Sequence, residues 1–295
     1  GIKHIIVAIN KMDLVDFSEG VFNEIKADYV KFSENLDSAN FHYIPMSALT
    51  GDNVVNPSEQ MPWYDGGALM PLLENVEIAG DKNYSDFRFP VQYVNRPNLN
   101  FRGFCGTVAS GVIRKGDEVI VLPSKKTSRI KSIVTYDEEL ELAHAEMAIT
   151  LTLEDEIDVS RGDILAHPEN IPASDSKFDA TIVWMAETPL LPGKVFDFKL
   201  GSKTVSGRLS TMHNRTDVNT LEKVPAPGLE LNEIGLAEIN LDETVCFDSY
   251  KDNRATGSFI IIDRLSNVTV GAGMIDCEQQ PRRERSGSTN IIVTK

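Results

Sequence analysis

The chain lacks much that would announce a function. No apolar run approaches the ~20 residues that span a bilayer, and no signal peptide is visible in the residues present. A membrane protein is therefore not expected. Cysteine is scarce: Cys105, Cys246 and Cys277 are far apart, odd in number and without C-x-x-C spacing, which reads as free thiols in a reducing, cytoplasmic compartment. The histidines (His4, His42, His144, His167 and His213) show no metal-ligand spacing, so no metal site is expected. Basic residues are outnumbered 44 to 29, for a net charge of −15. Affinity for a phosphate backbone comes largely from Lys and Arg, so nucleic acid is excluded as the main partner.

A phosphate loop is also missing. Holding nucleotide phosphates calls for G-x-x-x-x-G-K-[ST], whose backbone N–H groups cradle the phosphates while its Lys and hydroxyl serve phosphate and Mg²⁺. The Gly193-Lys194 pair has Thr188 in place of the first glycine and Val195 in place of the hydroxyl, and it follows Pro192, so it reads as a turn. No D-x-x-G occurs either. No catalytic residue is assigned.

What is present begins with Asn10-Lys11-Met12-Asp13, directly after the apolar run Ile5-Ile6-Val7-Ala8-Ile9. An N-K-x-D at the end of a buried strand is suited to reading guanine. The Asp carboxylate can accept from the ring N–H and from the exocyclic amine, a pair that adenine does not offer. The Asn buttresses the loop, and the Lys stem covers one face of the base. Adenine would leave the carboxylate desolvated and unpaired, at a cost of about 1–3 kcal/mol or more. A second loop, Ser47-Ala48-Leu49, follows the apolar segment Phe41-His42-Tyr43-Ile44-Pro45; in GTPases such a loop offers a backbone N–H to the guanine carbonyl. Between the two, Val21, Phe22, Ile25, Tyr29, Val30 and Phe32 recur at helical spacing. Strand, motif, helix, strand, motif is a βαβ unit, with both motifs at the carboxyl edge of a parallel sheet, where open α/β sheets bind ligands.

The chain opens on Gly1, directly before a strand that reads as central; the expectation is the C-terminal portion of a longer protein. Beyond Ser47 comes a loop from 50 to 67 rich in Gly, Asn, Pro and Asp, then a short helix over Ala68 to Val76 and a linker from Ala79 to Asn83. From Phe87 onward the period drops to two. Strands are expected at Phe89–Val94, Gly106–Gly111, Glu118–Leu122, Ser128–Ile133 and Ala148–Leu153, and their spacing suits a closed antiparallel barrel. The stretch from His167 to Ser176 reads as a boundary. A second β-rich block follows, with strands near Ala180–Trp184, Val195–Leu200, Ile234–Asn240, Phe259–Ile262 and Val268–Val270. The fold class is therefore multidomain: the C-terminal part of a P-loop GTPase α/β domain (1–80), then β-barrels over 84–172 and 176–276. A polar tail or linker over 277–295 carries Arg282, Arg283 and Arg285.

This plan is that of the translational GTPases such as elongation factor Tu, and several runs narrow the resemblance. Phe89-Pro90-Val91-Gln92-Tyr93-Val94-Asn95-Arg96-Pro97-Asn98, followed by Phe101-Arg102-Gly103, resembles the second-domain signature of the large subunit of bacterial sulfate adenylyltransferases. So does the run from Asp155 to Asp163, as do Val183-Trp184-Met185-Ala186-Glu187 and the run from Asp263 to Met274. Together with N-K-M-D and S-A-L, the resemblance covers residues 1 to 276.

The resemblance implies that the large subunit hydrolyses GTP and couples it to a small catalytic subunit, which makes adenylyl sulfate and pyrophosphate from ATP and sulfate. It implies that Asn10, Lys11 and Asp13 bind the guanine of GTP, supported by Ser47, Ala48 and Leu49. Mg²⁺ belongs to the full-length protein, its ligands having no counterpart here. Trp63, Tyr64 and Arg96 are candidates for the small-subunit contact, though packing roles are the plainer reading. The alternatives are a bifunctional chain continuing into an adenylyl-sulfate kinase, a translation-factor-like GTPase, and a module that only docks on a partner.

Overall fold

Strands β1 (His4–Ile9) and β2 (Asn40–Pro45) pair in parallel, with Ile5 opposite Phe41 and Ile9 opposite Pro45. A parallel pair needs a crossover, and helix α1 (Glu19–Ser33) supplies it. The Ser18 hydroxyl, just ahead of the helix, accepts from the Val21 N–H at 3.4 Å. Of the expected apolar face, Phe22 is buried, whereas Ile25, Val30 and Phe32 remain exposed. Tyr29 meets Phe41 and Tyr43 edge-on at 6.0 Å, which seats the helix on β2. The computed structural model describes residues 4–33, 40–76, 83–98, 101–218 and 220–277. The expected tail from 278 on, with its three arginines, lies outside these residues, as does most of the linker.

The chain divides into two units, Gly1–Asp81 and Lys82–Lys295. The first is centred on Ile9, Met12, Phe22 and Met61. Trp63 packs on Phe22 at 5.4 Å and its Nε1 donates to the Phe17 carbonyl at 3.2 Å; the Tyr64 hydroxyl donates to the Tyr43 carbonyl at 3.0 Å. Both aromatics therefore pack within their own unit. Helix α2 (Leu69–Asn75) is short, and its first residues donate backbone N–H groups to Asn53 and Val54.

The second unit holds two β systems. The first comprises β3 (Arg88–Pro90), β4 (Tyr93–Asn98), β5 (Phe101–Thr107), β6 (Val112–Arg114), β7 (Glu118–Leu122), β8 (Lys126–Val134), β9 (Glu139–Leu140), β10 (Leu142–His144), β11 (Ala148–Leu153) and β12 (Ile164–Ala166). The ladder runs β3-β12-β7-β8-β11-β5-β4, with β9 on β8 and β6–β10 as a separate ribbon. Its two end strands are nearly one. Val91 bonds to Asp163 and Gly162 on the β12 side, and Gln92 donates to Cys105 on β5. The bent strand β3–β4 thus changes partner at Val91–Gln92 and closes the ring around Phe87, Phe89, Phe104 and Ile130. The strand expected over Gly106–Gly111 is displaced: β5 begins at Phe101 and ends at Thr107. It stops because the chain must pass close to Phe87 at Gly111, where φ is +77° and a Cβ would lie 2.3 Å from the Phe87 Cα.

The second β system comprises β13 (Ala173–Trp184), β14 (Val195–Leu200), β15 (Lys203–Thr216), β16 (Lys223–Val224), β17 (Ile234–Phe247), β18 (Ser258–Ile262) and β19 (Thr269–Asp276). The order β14-β18-β19-β13-β17-β15 closes through β14–β15 pairing. Phe178, Phe247, Phe259, Phe198, Trp184 and Phe196 fill it, with ring centroids 4.8–5.8 Å apart. Two departures have physical causes. Strand β15 escapes the sequence pattern because its buried positions Val205, Gly207 and Leu209 include a glycine, and two register shifts follow. Strand β13 begins within the polar stretch read as a boundary, held by a bulge between Asp175 and Lys177. Gly193-Lys194 is a turn, with Gly193 at φ +93°.

Candidate functional site

Where β1 and β2 end, two loops are stitched together. Met46 N–H donates to the Ile9 carbonyl at 2.9 Å, and Met12 N–H donates to the Met46 carbonyl at 3.2 Å. Lys11 sits in the left-handed region at φ 66°, ψ 32°, an unusual state for a residue with a long side chain. Asn10 compensates locally, its Oδ1 accepting from the Lys11 N–H at 2.7 Å. The turn sends Met12 into the core at 1% exposure and leaves Lys11 in solvent. A 3₁₀ turn over Met12–Val15 then presents Asp13.

The same Asn10 Oδ1 accepts from the Ala48 N–H at 2.9 Å. The Ser47 hydroxyl, fully buried, donates to Asp13 Oδ1 at 2.6 Å. The structure therefore joins Asn10, Lys11, Asp13, Ser47 and Ala48 by direct hydrogen bonds across the two loops. Leu49 follows with its side chain 85% exposed. Of the backbone N–H groups in the loop expected to offer one to a base carbonyl, that of Ala48 is turned to Asn10. A carboxylate offers about four lone-pair sites, so one bond from Ser47 fixes the rotation of Asp13 and leaves acceptor capacity facing outward.

Sequence reasoning passed over the residues beneath this loop. Asn53 is 2% exposed and left-handed at φ 55°. Its Nδ2 donates to the Pro45 carbonyl at 2.8 Å, and its Oδ1 accepts from the Ser58 N–H at 2.7 Å. Beside it, the Asp52 carboxylate accepts the hydroxyls of Ser58 and Thr50, each at 2.5 Å. Those two hydrogen bonds, Ser58 first, hold its pKa below the usual carboxylate value. The available signal was Asn at a turn position, since Asn tolerates positive φ; its burial was not readable.

The arrangement presents one carboxylate acceptor, held by Ser47, at the open end of a parallel strand pair. Among the described residues no group of His, Cys, Asp and Glu is placed to hold a metal ion, and no helix is long and apolar enough to cross a membrane.

Residues 105–166 match the family model described as elongation factor Tu domain 2, and residues 177–276 match the GTP-eEF1A C-terminal domain-like model. The chain is similar to sulfate adenylyltransferase subunit 1 of Teredinibacter turnerae, 57% identical across 93% of this chain and 58% of that protein. The subunit 1 of Chromobacterium violaceum is 56% identical across 95% of this chain and 59% of its own length. The bifunctional enzyme CysN/CysC of Rhodopirellula baltica is 54% identical across 93% of this chain and 43% of that protein. The chain thus spans a little under three-fifths of the subunit 1 proteins that it matches. Among solved structures, sup35 complexed with GDP superposes with a TM-score of 0.61 at 24% identity, over 93% of this chain and 69% of that one; this likeness speaks to the fold.

Proposed function

We propose that this chain, which is similar to sulfate adenylyltransferase subunit 1 and matches two translation-factor domain models, supplies the base-reading half of a GTP site in a sulfate-activating enzyme. The carrying observation is the Asp13 carboxylate held by Ser47 at 2.6 Å at the carboxyl edge of β1 and β2. Guanine presents a ring N–H and an exocyclic amine side by side, which is the donor pair such a carboxylate accepts. The exposed Lys11 stem is placed to cover a face of the base, with Ala48 and Leu49 bordering its carbonyl edge.

The residues fit a guanine base and do not fit its phosphates or Mg²⁺. The sequence has no phosphate loop and no Ser or Thr after a Gly-Lys pair. Those contacts are assigned to the part of the longer subunit that this chain does not span. In the whole enzyme, GTP hydrolysis would be coupled to a second subunit that joins ATP and sulfate into adenylyl sulfate and pyrophosphate. That mixed anhydride is very unfavourable to form. Coupling requires that each site make different contacts in two states of the assembly, and the barrels are the proposed transmitters. A cytoplasmic site of action suits this metabolic role.

The test is an Asp13→Asn change in the full-length subunit assembled with its partner. An Asn amide still accepts from N1–H but donates at the second position, which suits the C2 carbonyl of xanthine in place of the guanine amine. GTP-stimulated adenylyl sulfate synthesis should fall at least about tenfold, the loss expected for one charge-assisted hydrogen bond, and xanthosine triphosphate should restore it. Undiminished stimulation by GTP would overturn the reading. Calorimetry of this chain alone with GDP should show no sub-micromolar binding, because the phosphate contacts lie elsewhere; tight binding would refute that division.

A further inference from the structure

We propose that Asp52 and Thr50 are positioning residues for base discrimination, setting the direction of the Asp13 carboxylate through a relay of hydrogen bonds. The inference rests on the guanine reading of the site and adds residues to it. The relay has three steps. Thr50 Oγ1 donates to Asp52 Oδ2 at 2.5 Å. The Thr50 backbone N–H donates to Ser47 Oγ at 3.3 Å. Ser47 Oγ then donates its single proton to Asp13 Oδ1 at 2.6 Å.

The direction of the relay is what matters. A serine hydroxyl has one proton and two acceptor lone pairs, so it can turn towards several partners. With the Thr50 N–H occupying a lone pair, the proton of Ser47 is left to point at Asp13. Asp52 keeps Thr50 in place by holding its hydroxyl. The backbone tightens the same turn, with Ser47 N–H donating to the Asp52 carbonyl at 3.1 Å and Gly51 N–H to the Ser47 carbonyl at 2.9 Å.

Asp52 is itself anchored from below. Its second oxygen accepts the Ser58 hydroxyl at 2.5 Å, and the Ser58 N–H donates to the buried Asn53. Asn53 in turn grips the end of β2 through the Pro45 carbonyl and takes the Leu69 N–H of α2 on its own carbonyl. The turn that carries Ser47 and Ala48 is thus tied to the strand end and to the next helix. A carboxylate that must accept two parallel hydrogen bonds tolerates little rotation, and a surface loop would not hold it without such a frame.

The experiment compares GDP with inosine diphosphate, which lacks the exocyclic amine, on the full-length subunit. Wild-type protein should prefer GDP. Thr50→Val removes the hydroxyl but keeps the shape, and Asp52→Ala removes its acceptor. Each should reduce the GDP-over-inosine-diphosphate affinity ratio about tenfold, the loss of one hydrogen bond to a charged group. Thr50→Ser should keep the wild-type ratio. A purely structural role would lower both affinities together and leave the ratio intact, which would overturn the proposal. If Asp52→Ala does not fold, Thr50→Val decides. Failure of the underlying guanine reading looks different, because the wild-type ratio itself would then be near one.

Discussion

Arg88 on β3 and Asp248, just past β17, form a two-pronged ion pair between the two barrels, with Nε and Nη2 each 2.9 Å from a carboxylate oxygen. Arg88 is 2% exposed. Its remaining N–H groups go to the Phe87 and Asn170 backbone carbonyls at 2.9 and 2.8 Å and to Asn170 Oδ1 at 3.3 Å, and the Thr256 hydroxyl donates to Asp248 at 2.6 Å. Removing one partner of such a pair strands the other charge in a dry site. Arg88→Met should cost about 3–5 kcal/mol in urea unfolding. Replacing Asp248 with Leu as well should recover much of that loss, because a matched apolar pair no longer buries an unpaired charge. A single-variant loss below about 1 kcal/mol would place the pair with weak surface bridges.

Two glycines should respond differently to the same methyl group. A Cβ on Gly273 of β19 would lie 2.1 Å from the Cζ of Phe259, whose ring is 3% exposed within the second barrel. Gly273→Ala must displace that ring, at about 1–3 kcal/mol for overpacking. Gly193 has φ +93° and no atom within 4 Å of a built Cβ, so Gly193→Ala pays only the left-handed backbone penalty of about 1–2 kcal/mol. Thermal unfolding should rank Gly273→Ala as the more damaging change. The reverse order would mean that the ring gives way freely.

These cases show what the sequence could and could not disclose. Asn10, Asp13 and Ser47 stood out because they follow two strands that are themselves plain in the pattern; the hydrogen bonds that join them across the loops are what the structure adds. Most barrel strands were legible from their period of two, as in Glu118–Leu122. Strand β15 was not, since Gly207 and its polar neighbours break the alternation that a barrel interior normally imposes. Arg88 and Asp248 lie 160 positions apart, and nothing local marks either as one half of a pair. Asp52 and Asn53 looked like ordinary loop residues; their role comes from closing a turn onto Ser47 and Pro45, a tertiary fact.

Cys277 offers a chemical probe of the second unit. Burial, and then the nearby carboxylates of Asp248, Asp276 and Asp252, push its thiol pKa up to about 11. The thiolate is the nucleophile, so alkylation at pH 8 should be slow in the folded chain and should accelerate as pH climbs towards that value. The linkage has a matching sign. An unfolded thiol ionises near ~8.5, so stability falls as pH rises from there through the folded pKa. Cys277→Ser should flatten this alkaline loss. Rapid labelling of Cys277 at pH 8, read by mass spectrometry of the folded protein, would contradict the raised pKa.

Asp263 should make the fold sensitive to acid. Its Oδ1 accepts from the backbone N–H groups of Leu265 and Ser266 at 3.1 and 3.0 Å and from the Ser266 hydroxyl at 3.0 Å. Lys194 Nζ reaches Oδ2 at 3.1 Å. These donors, led by the Ser266 N–H and Lys194, hold the carboxyl far below the usual carboxylate range. A depressed folded pKa stabilises the protein above the unfolded value of about 3.9, and that contribution disappears as pH falls through the folded value. Asp263→Asn keeps an acceptor but loses the charge. The variant should be less stable than wild type at pH 7, and the difference should shrink steadily below about pH 4. Urea midpoints taken from pH 7 to pH 2 measure this directly. A gap that stays constant across the series would show that the hairpin gains nothing from the ionised carboxylate.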